Sequence, residues 1–198
     1  MGTAERRGRE RAGREHRIVA VARRIAESEG WDAVTIRRLA DEIEYSQPVL
    51  YSHFENRDAI VAAVAVEGFR EITDALRKAA ARLPGRQSAL ENVAAAYLDF
   101  AQKHPALYEA MFVLPTNLRF AHAGTKPELR AAFGALAAVV TPFCADSELV
   151  TETFWSTLHG LAALERSGRI RSRARAERVG LVIRAIAVSG KSTAAQKT

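Results

Sequence analysis

Between residues 35 and 57 stands a group of side chains whose chemistry suits a phosphate backbone better than a small substrate. Thr35, Ser46, Gln47, Tyr51 and His53 offer hydroxyl, amide and ring groups, and Arg37 and Arg57 add cations. Gln47 is the candidate for base readout, because a carboxamide can pair bidentately with adenine; an ordinary exposed glutamine is the alternative. Arg57 lies in the first turn of a helix, where the macrodipole disfavours a cation by a few tenths to about 1 kcal/mol, so a nearby phosphate would account for it. A solvated arginine is the other reading. For Tyr51, burial of the ring against a neighbouring helix and contact of its hydroxyl with a phosphate are compatible. The chain as a whole carries no paired carboxylate and histidine motif, no phosphate-cradling glycine loop and no nucleophile beside a recognisable base. Neither an enzyme nor a metal or cofactor site is expected.

Such a set needs short helices to hold it. Ile18, Val21, Ala22, Ile25 and Ala26 recur at helical spacing up to Gly30, a good carboxy-terminal stop. Thr35 then caps a helix of about two turns carrying Ile36, Leu39, Ala40 and Ile43. After Glu44 and Tyr45, Ser46 caps a third helix that starts Gln47-Pro48-Val49, with proline where its missing amide hydrogen matters least, and turns Leu50 and Phe54 inward. These are the dimensions of a helix-turn-helix, whose second helix enters the major groove, so Pro48 and Val49 join the DNA-facing set. Two short helices packed in a bundle would look the same by spacing alone. Asn56 caps a longer fourth helix that runs until Leu83, Pro84 and Gly85 break it. Further helices follow at about 87–103, 105–113, 127–141, 147–166 and 173–188, and no period-two pattern competes. The fold class is therefore all-α with about nine helices. A flexible basic arm is expected at 1–14, a three-helix DNA-binding domain at 15–60, a helical regulatory and dimerisation domain at 61–190 and a flexible tail at 191–198.

Charge sharpens this division. Through residue 24, eight arginines face three glutamates, a net +5, whereas residues 25–60 hold three arginines against eight acids, a net −5. The helix-turn-helix is acidic on balance, and its affinity for a polyanion must come from placed donors. Arg6, Arg7, Arg9, Arg11 and Arg14 either follow the DNA backbone or an adjacent minor groove, or form a tail without a role. The single Cys144 excludes an intramolecular disulfide and suits a reducing cytoplasm. No secretory signal is expected, and the longest apolar-or-glycine run, Ala131 to Val140, is far short of the roughly 20 residues that span a bilayer.

The run Trp31 to Ala40 followed by Tyr45 to Asp58, with its core Leu50-Tyr51-x-His53-Phe54-x-Asn56-Arg57-Asp58, resembles the amino-terminal domain of the tetracycline-repressor (TetR) family over about residues 16–65. The resemblance implies a homodimeric repressor with a ligand-binding helical domain. One departure stands out: the family usually carries glycine where this chain has Glu44, so the turn is either different or mildly strained. Residues 154–170 resemble the family's carboxy-terminal subtype with a Trp, His and Gly cluster, here Trp155, His159 and Gly160. Tyr97 to Phe112 matches it more loosely.

In that domain Tyr97, Phe100, Tyr108, Met111, Phe112 and Phe133, with Trp155 and His159 one turn apart, supply the surface an apolar effector pocket needs. An aromatic core and a hydrogen-bonded core histidine are the alternatives. Leu158, Leu161 and Leu164 on one helix, with Val179, Val182, Ile183 and Ile186 on the next, would pair across a twofold axis as a four-helix bundle; both stripes could instead pack within one subunit. The arginines between 166 and 178 would form a solvated rim. The expected partners are thus an operator duplex, a small effector and a second copy, with no membrane. A sequence-nonspecific DNA- or membrane-surface-binding helical module is the competing function.

Overall fold

In the computed structural model, which describes residues 2–82 and 85–195, the regular structure among the described residues is nine α-helices and three single-turn 3-10 helices. The α-helices are α1 (Thr3–Glu29), α2 (Ile36–Ile43), α3 (Gln47–Tyr51), α4 (Arg57–Ala80), α5 (Arg86–Lys103), α6 (Pro105–Phe112), α7 (Pro127–Val140), α8 (Ser147–Arg166) and α9 (Arg175–Ala195). Their boundaries follow local chemistry. Gly30 ends α1 at φ 85°, a left-handed conformation that favours glycine, while its N–H donates to the Ala26 carbonyl. Thr35 and Asn56 cap α2 and α4 by accepting from the amides of Arg38 and Ala59. Pro48, Pro105 and Pro127 each fall in a first turn. The expected break at Leu83 and Pro84 lies outside the described residues.

Two expectations about the ends change. Residues 3–14, expected as a flexible arm, are the opening turns of α1. Alanine, arginine and glutamate are good helix formers, and the i,i+4 pairs Arg6–Glu10 and Arg11–Glu15 add to them. The tail expected at 191–198 is helical as far as Ala195, and residues 196–198 lie outside the described residues.

The contacts divide the chain into two compact units, and the division falls within α4. The amino-terminal unit comprises the residues up to Gly68 together with His104–Thr125. Its core is built from Ile18, Ala22 and Ile25 of α1, Leu39, Ala40 and Ile43 of α2, Leu50 of α3, and Ile60, Val61 and Val64 of α4, all buried. Helix α6 belongs here, although its sequence position falls within the regulatory domain expected at 61–190. The Glu27 carboxylate accepts from the amides of Ala106 and Leu107, both at 3.1 Å, and so caps α6 from α1. The buried indole of Trp31 donates to the Ala106 carbonyl at 2.8 Å. Helix α4 approaches α6 closely at Gly68, where a Cβ would lie 2.5 Å from the Met111 sulfur.

The carboxy-terminal unit comprises Phe69–Lys103 and the residues from Lys126 on. Helix α5 packs against α7, α8 and α9. Leu90, Val93, Tyr97 and Leu98 of α5 meet a core that includes Leu136, Val140, Phe154, Leu158 and Ile183, each almost wholly buried. Asp146 caps α8 by accepting from the Leu149 amide. Arg175 and Arg178, expected on a solvated rim, instead enclose Glu165, whose side chain is only 5% exposed. Arg175 Nε donates to it at 2.7 Å and Arg178 at 2.6 Å, while Arg175 also reaches Asp99 and Gln102 of α5. Burial alone would raise the Glu165 carboxyl, but hydrogen bonds from Arg175 and Arg178 outweigh it and hold the group below the usual carboxylate range.

Candidate nucleic-acid interface

The turn joining α2 to α3 takes its shape from Glu44. Its backbone is left-handed, φ 58° and ψ 38°, and the carboxy-terminal bonds of α2 run from Tyr45 N to Ala40 O at 3.0 Å and from Glu44 N to Asp41 O at 3.4 Å. The turn therefore has the geometry glycine would give, with glutamate bearing the steric cost. Across it Arg17 of α1 lies over the Tyr45 ring, 5.9 Å from the centroid, a cation–π contact.

Helices α2 and α3 present their starts to solvent. Thr35 is exposed, and the Oγ1 that accepts from the Arg38 amide keeps its hydrogen for an outward acceptor. Arg37, Ser46, Gln47 and Pro48 are exposed and Val49 is half-buried. The Ser46 hydroxyl makes no capping bond. Tyr51 is 53% exposed, further out than a ring packed on α1 would be. These seven residues lie at the starts of α2 and α3 and at the end of α3, with donors that can reach phosphates and one carboxamide that can reach a base edge.

Two residues of the expected set take other positions. The His53 side chain is only 4% exposed, with Nδ1 3.3 Å from Oε1 of Glu15 on α1, so the ring is spent on packing α3 against α1. Arg57 turns inward: Nε donates to the Val34 carbonyl at 2.8 Å and a terminal nitrogen to Trp31 O at 2.6 Å. These charge-assisted bonds satisfy carbonyls of the turn before α2 and explain a cation at the start of α4 without a phosphate. Arg57 thereby ties the start of α4 to the turn before α2.

Two of the eight acids of residues 25–60 are held in ion pairs. Arg38 holds Glu29 in a two-point pair at 2.8 and 3.1 Å, and Arg24 reaches Glu42 at 2.6 Å. Arg24 and then Arg38 hold the Glu42 carboxyl below its usual range, and Glu29 in turn raises Arg38. Sequence reasoning counted these charges but could not pair them, because Arg24 and Glu42 are on different helices. It read Arg11 only as one of the arm's arginines, and it missed Arg17 and Tyr45, whose only signal was membership of a basic stretch or of a turn.

The expected effector residues fall in both units. Tyr108, Met111 and Phe112 belong to α6 of the amino-terminal unit, where the Tyr108 and Phe112 rings form a tilted pair, 4.8 Å between centroids and 55° between planes. Tyr97, Phe100, Phe133, Trp155 and His159 belong to the carboxy-terminal unit. There the Trp155 indole donates to the buried Tyr97 hydroxyl at 3.1 Å, tying α8 to α5. His159, one turn on, is half-buried, and desolvation followed by the charge of Arg166 keeps its pKa below the ordinary value, so the ring is neutral at pH 7. A separate open groove runs between Arg77, Ala80 and Ala81 and the small residues of α7, Ala131, Gly134, Ala135 and Ala138. None of the eight expected residues lines it. Of the expected dimer stripe, Leu158, Val179, Ile183 and Ile186 are buried in their own chain because α5 packs against both helices. Leu161 and Val182 are half-buried, and only Leu164 is exposed.

Residues 18–64 match the model of the bacterial regulatory proteins of the tetR family, and residues 90–186 match that of the tetracyclin repressor-like carboxy-terminal domain. An uncharacterised HTH-type transcriptional regulator of Mycobacterium tuberculosis is 33% identical over 158 residues, covering 76% of this chain and 69% of the relative. The chain belongs to the TetR family of DNA-binding transcriptional regulators. Among solved structures, this TetR-family regulator superposes on a protein of unknown function from Rhodococcus sp. RHA1 with a TM-score of 0.70 and 24% identity, covering 87% of this chain and 92% of that one. It is also similar in fold to the regulator FadR from Bacillus subtilis in complex with stearoyl-CoA, with a TM-score of 0.63 and 11% identity over 88% and 98% of the two chains. No single helix among the described residues of the regulator is long and apolar enough to cross a membrane.

Proposed function

We propose that this TetR-family regulator is a cytoplasmic repressor that binds a palindromic operator as a homodimer and is released by a small, largely apolar effector. The observation that carries the reading is the exposure of Thr35, Arg37, Ser46, Gln47 and Tyr51 on the helix pair, with Glu29 and Glu42 held in ion pairs by Arg38 and Arg24. Positioning falls to the hydroxyls and Arg37, and base choice to Gln47. His53 and Arg57 act by fixing α3 on α1 and α4 on the turn before α2.

The dimer reading is supported by apolar side chains that the chain itself leaves uncovered: Leu164 at 39% exposure on α8, and Leu181 at 60% and Val188 at 66% on α9. Gly160, one turn before Leu164, points the same way. A Cβ there would meet nothing within 4 Å, so the roughly 1 kcal/mol that an interior helix glycine costs has no reason inside the subunit. A partner helix approaching closely would supply one. The effector is assigned to the carboxy-terminal unit, beside Tyr97, Trp155 and the neutral His159, where one ring bond and one titratable nitrogen stand among apolar surface. The stearoyl-CoA carried by FadR, a protein of like fold, favours an elongated apolar ligand. Occupation of this site would shift the population away from the DNA-competent form.

The test is selection of duplexes from a random library of about 30 base pairs, roughly three helical turns, on the full-length protein. The expected product is a palindrome, with a Gln47→Ala variant changing preference at one position per half-site. Recovery of no preferred sequence would refute the operator reading. Titration of the selected complex with fatty acids and acyl-CoA esters of graded chain length tests release, and a complex indifferent to the whole series would refute the effector class.

A further inference from the structure

Helix α1 extends well beyond the core it serves. Its buried stripe is Ile18, Ala22 and Ile25, and the same stripe carried back by helical spacing falls on Arg14, Arg11 and Arg7. An apolar face thus becomes a basic one where the core ends. This face is anchored beside the recognition helix: Arg11 donates to the Ser52 carbonyl at the end of α3 at 3.2 Å and pairs with Glu15 at 2.9 Å, and Glu15 meets His53. Arg7 and Arg14, on either side of Arg11, are exposed and form no ion pair among the described residues. Residues 3–14 add about 18 Å of helix, a length of duplex axis bearing about ten phosphate charges.

We propose that the first turns of α1 form a basic outrigger that lies, as a helix, along the phosphate backbone of duplex DNA flanking each half-site, with Arg7 and Arg14 touching phosphates and Arg11 as the anchor to α3. The assignment rests on the DNA-binding reading. It commits to phosphate because the face is continuous with the exposed helix pair and complementary in charge to a polyanion. Its contribution is sequence-independent, and it offsets the acidic balance of residues 25–60.

The experiment measures the affinity of the full-length protein for its selected duplex and for a scrambled one by fluorescence anisotropy across a KCl series from about 50 to about 300 mM, the range in which phosphate-dependent binding falls steeply. In R7Q/R14Q the slope of log K against log salt should fall by about 1.8 per protomer, about 0.9 for each phosphate no longer neutralised. The ratio between selected and scrambled duplexes should stay unchanged. R169Q/R173Q removes the same charge from exposed positions of the carboxy-terminal unit and should leave the slope alone. In a Gly13→Pro background, which breaks the helix ahead of Arg14, Arg7→Gln should have no further effect. An unchanged slope in R7Q/R14Q at an unchanged melting temperature overturns the outrigger, as does an equal loss in R169Q/R173Q. An Arg7→Gln effect that persists undiminished beside Gly13→Pro overturns its helical form. If the wild-type protein binds neither duplex, the DNA reading itself fails, an outcome distinct from binding without the arm.

Discussion

Replacing Glu44 by glycine should stabilise the protein, and the size of the gain follows from the backbone. Glu44 sits at φ 58° and ψ 38°, where Cβ crowds the following carbonyl at a cost of roughly 1–2 kcal/mol for a residue that is not glycine. Glycine removes that term but gives back roughly 0.5–1 kcal/mol through the freedom of the unfolded chain. The net gain is about 0.5–1 kcal/mol, which for a chain of this size is a rise of about 1–4 °C in Tm. The substitution also removes a negative charge from the turn before α3, so DNA affinity should rise independently. Glu44→Gln separates the two effects, because it removes the charge and keeps the strain. Thermal unfolding followed by circular dichroism, with DNA titration at one fixed salt concentration, should find both Tm and affinity raised in E44G but affinity alone raised in E44Q. A Tm for E44G no higher than that of E44Q would refute the strain argument.

Three other perturbations follow from the same geometry. Arg57→Ala should cost about 2–3 kcal/mol by leaving the Val34 and Trp31 carbonyls without their charged donor, while the salt slope of DNA binding stays that of the wild type; a slope lowered by about 0.9 per protomer would return Arg57 to a phosphate. Glu165→Gln should cost about 2 kcal/mol at pH 7, less than a fully enclosed pair, because Arg175 and Arg178 keep 20% and 23% of their side chains exposed. Since the folded-state pKa of Glu165 is depressed, its contribution is complete well above about pH 4.3 and is lost as the pH falls through the folded-state value. The Tm difference between wild type and E165Q should therefore shrink in acid, and a constant difference would count against the ion cluster. Leu181→Glu should halve the mass measured by light scattering with helicity intact, and an unchanged dimer would move the interface away from α9.

Much of the helical frame is legible in the sequence because its signals are local. Thr35 and Asn56 cap the helices that follow them, the prolines at 48, 105 and 127 open helices, and Gly30 closes one. The side-chain assignments fare differently wherever a partner is distant in sequence. The Glu27 bonds to α6 span 79 and 80 residues, and nothing near Glu27 marks it as a cap for another helix. Arg57 offers a cation in an unfavourable place, from which a phosphate is a reasonable inference. The carbonyls that receive it lie 23 and 26 residues earlier, in a turn whose shape local spacing does not specify. The apolar stripes of α8 and α9 are visible by periodicity, but periodicity cannot say whether α5 or a second chain covers them. In the basic segment, composition argues against order because it contains no core residues. The helix continues because it is already nucleated by the part of α1 that does.

The capping of α6 by Glu27, with the bond from Trp31, has a consequence for anyone who would transplant this DNA-reading head onto another sensor. A cut near residue 68 would separate a carboxylate and a buried indole from the backbone groups they hold on α6, and would bare the face of Gly68 that Met111 fills. The head is discontinuous: it leaves the chain and returns to it, so a working chimera must carry residues 104–125 along with the amino-terminal helices. For the same reason a change in the loops bracketing α6 can alter DNA reading from a stretch of sequence that no alignment of helix-turn-helix motifs would include.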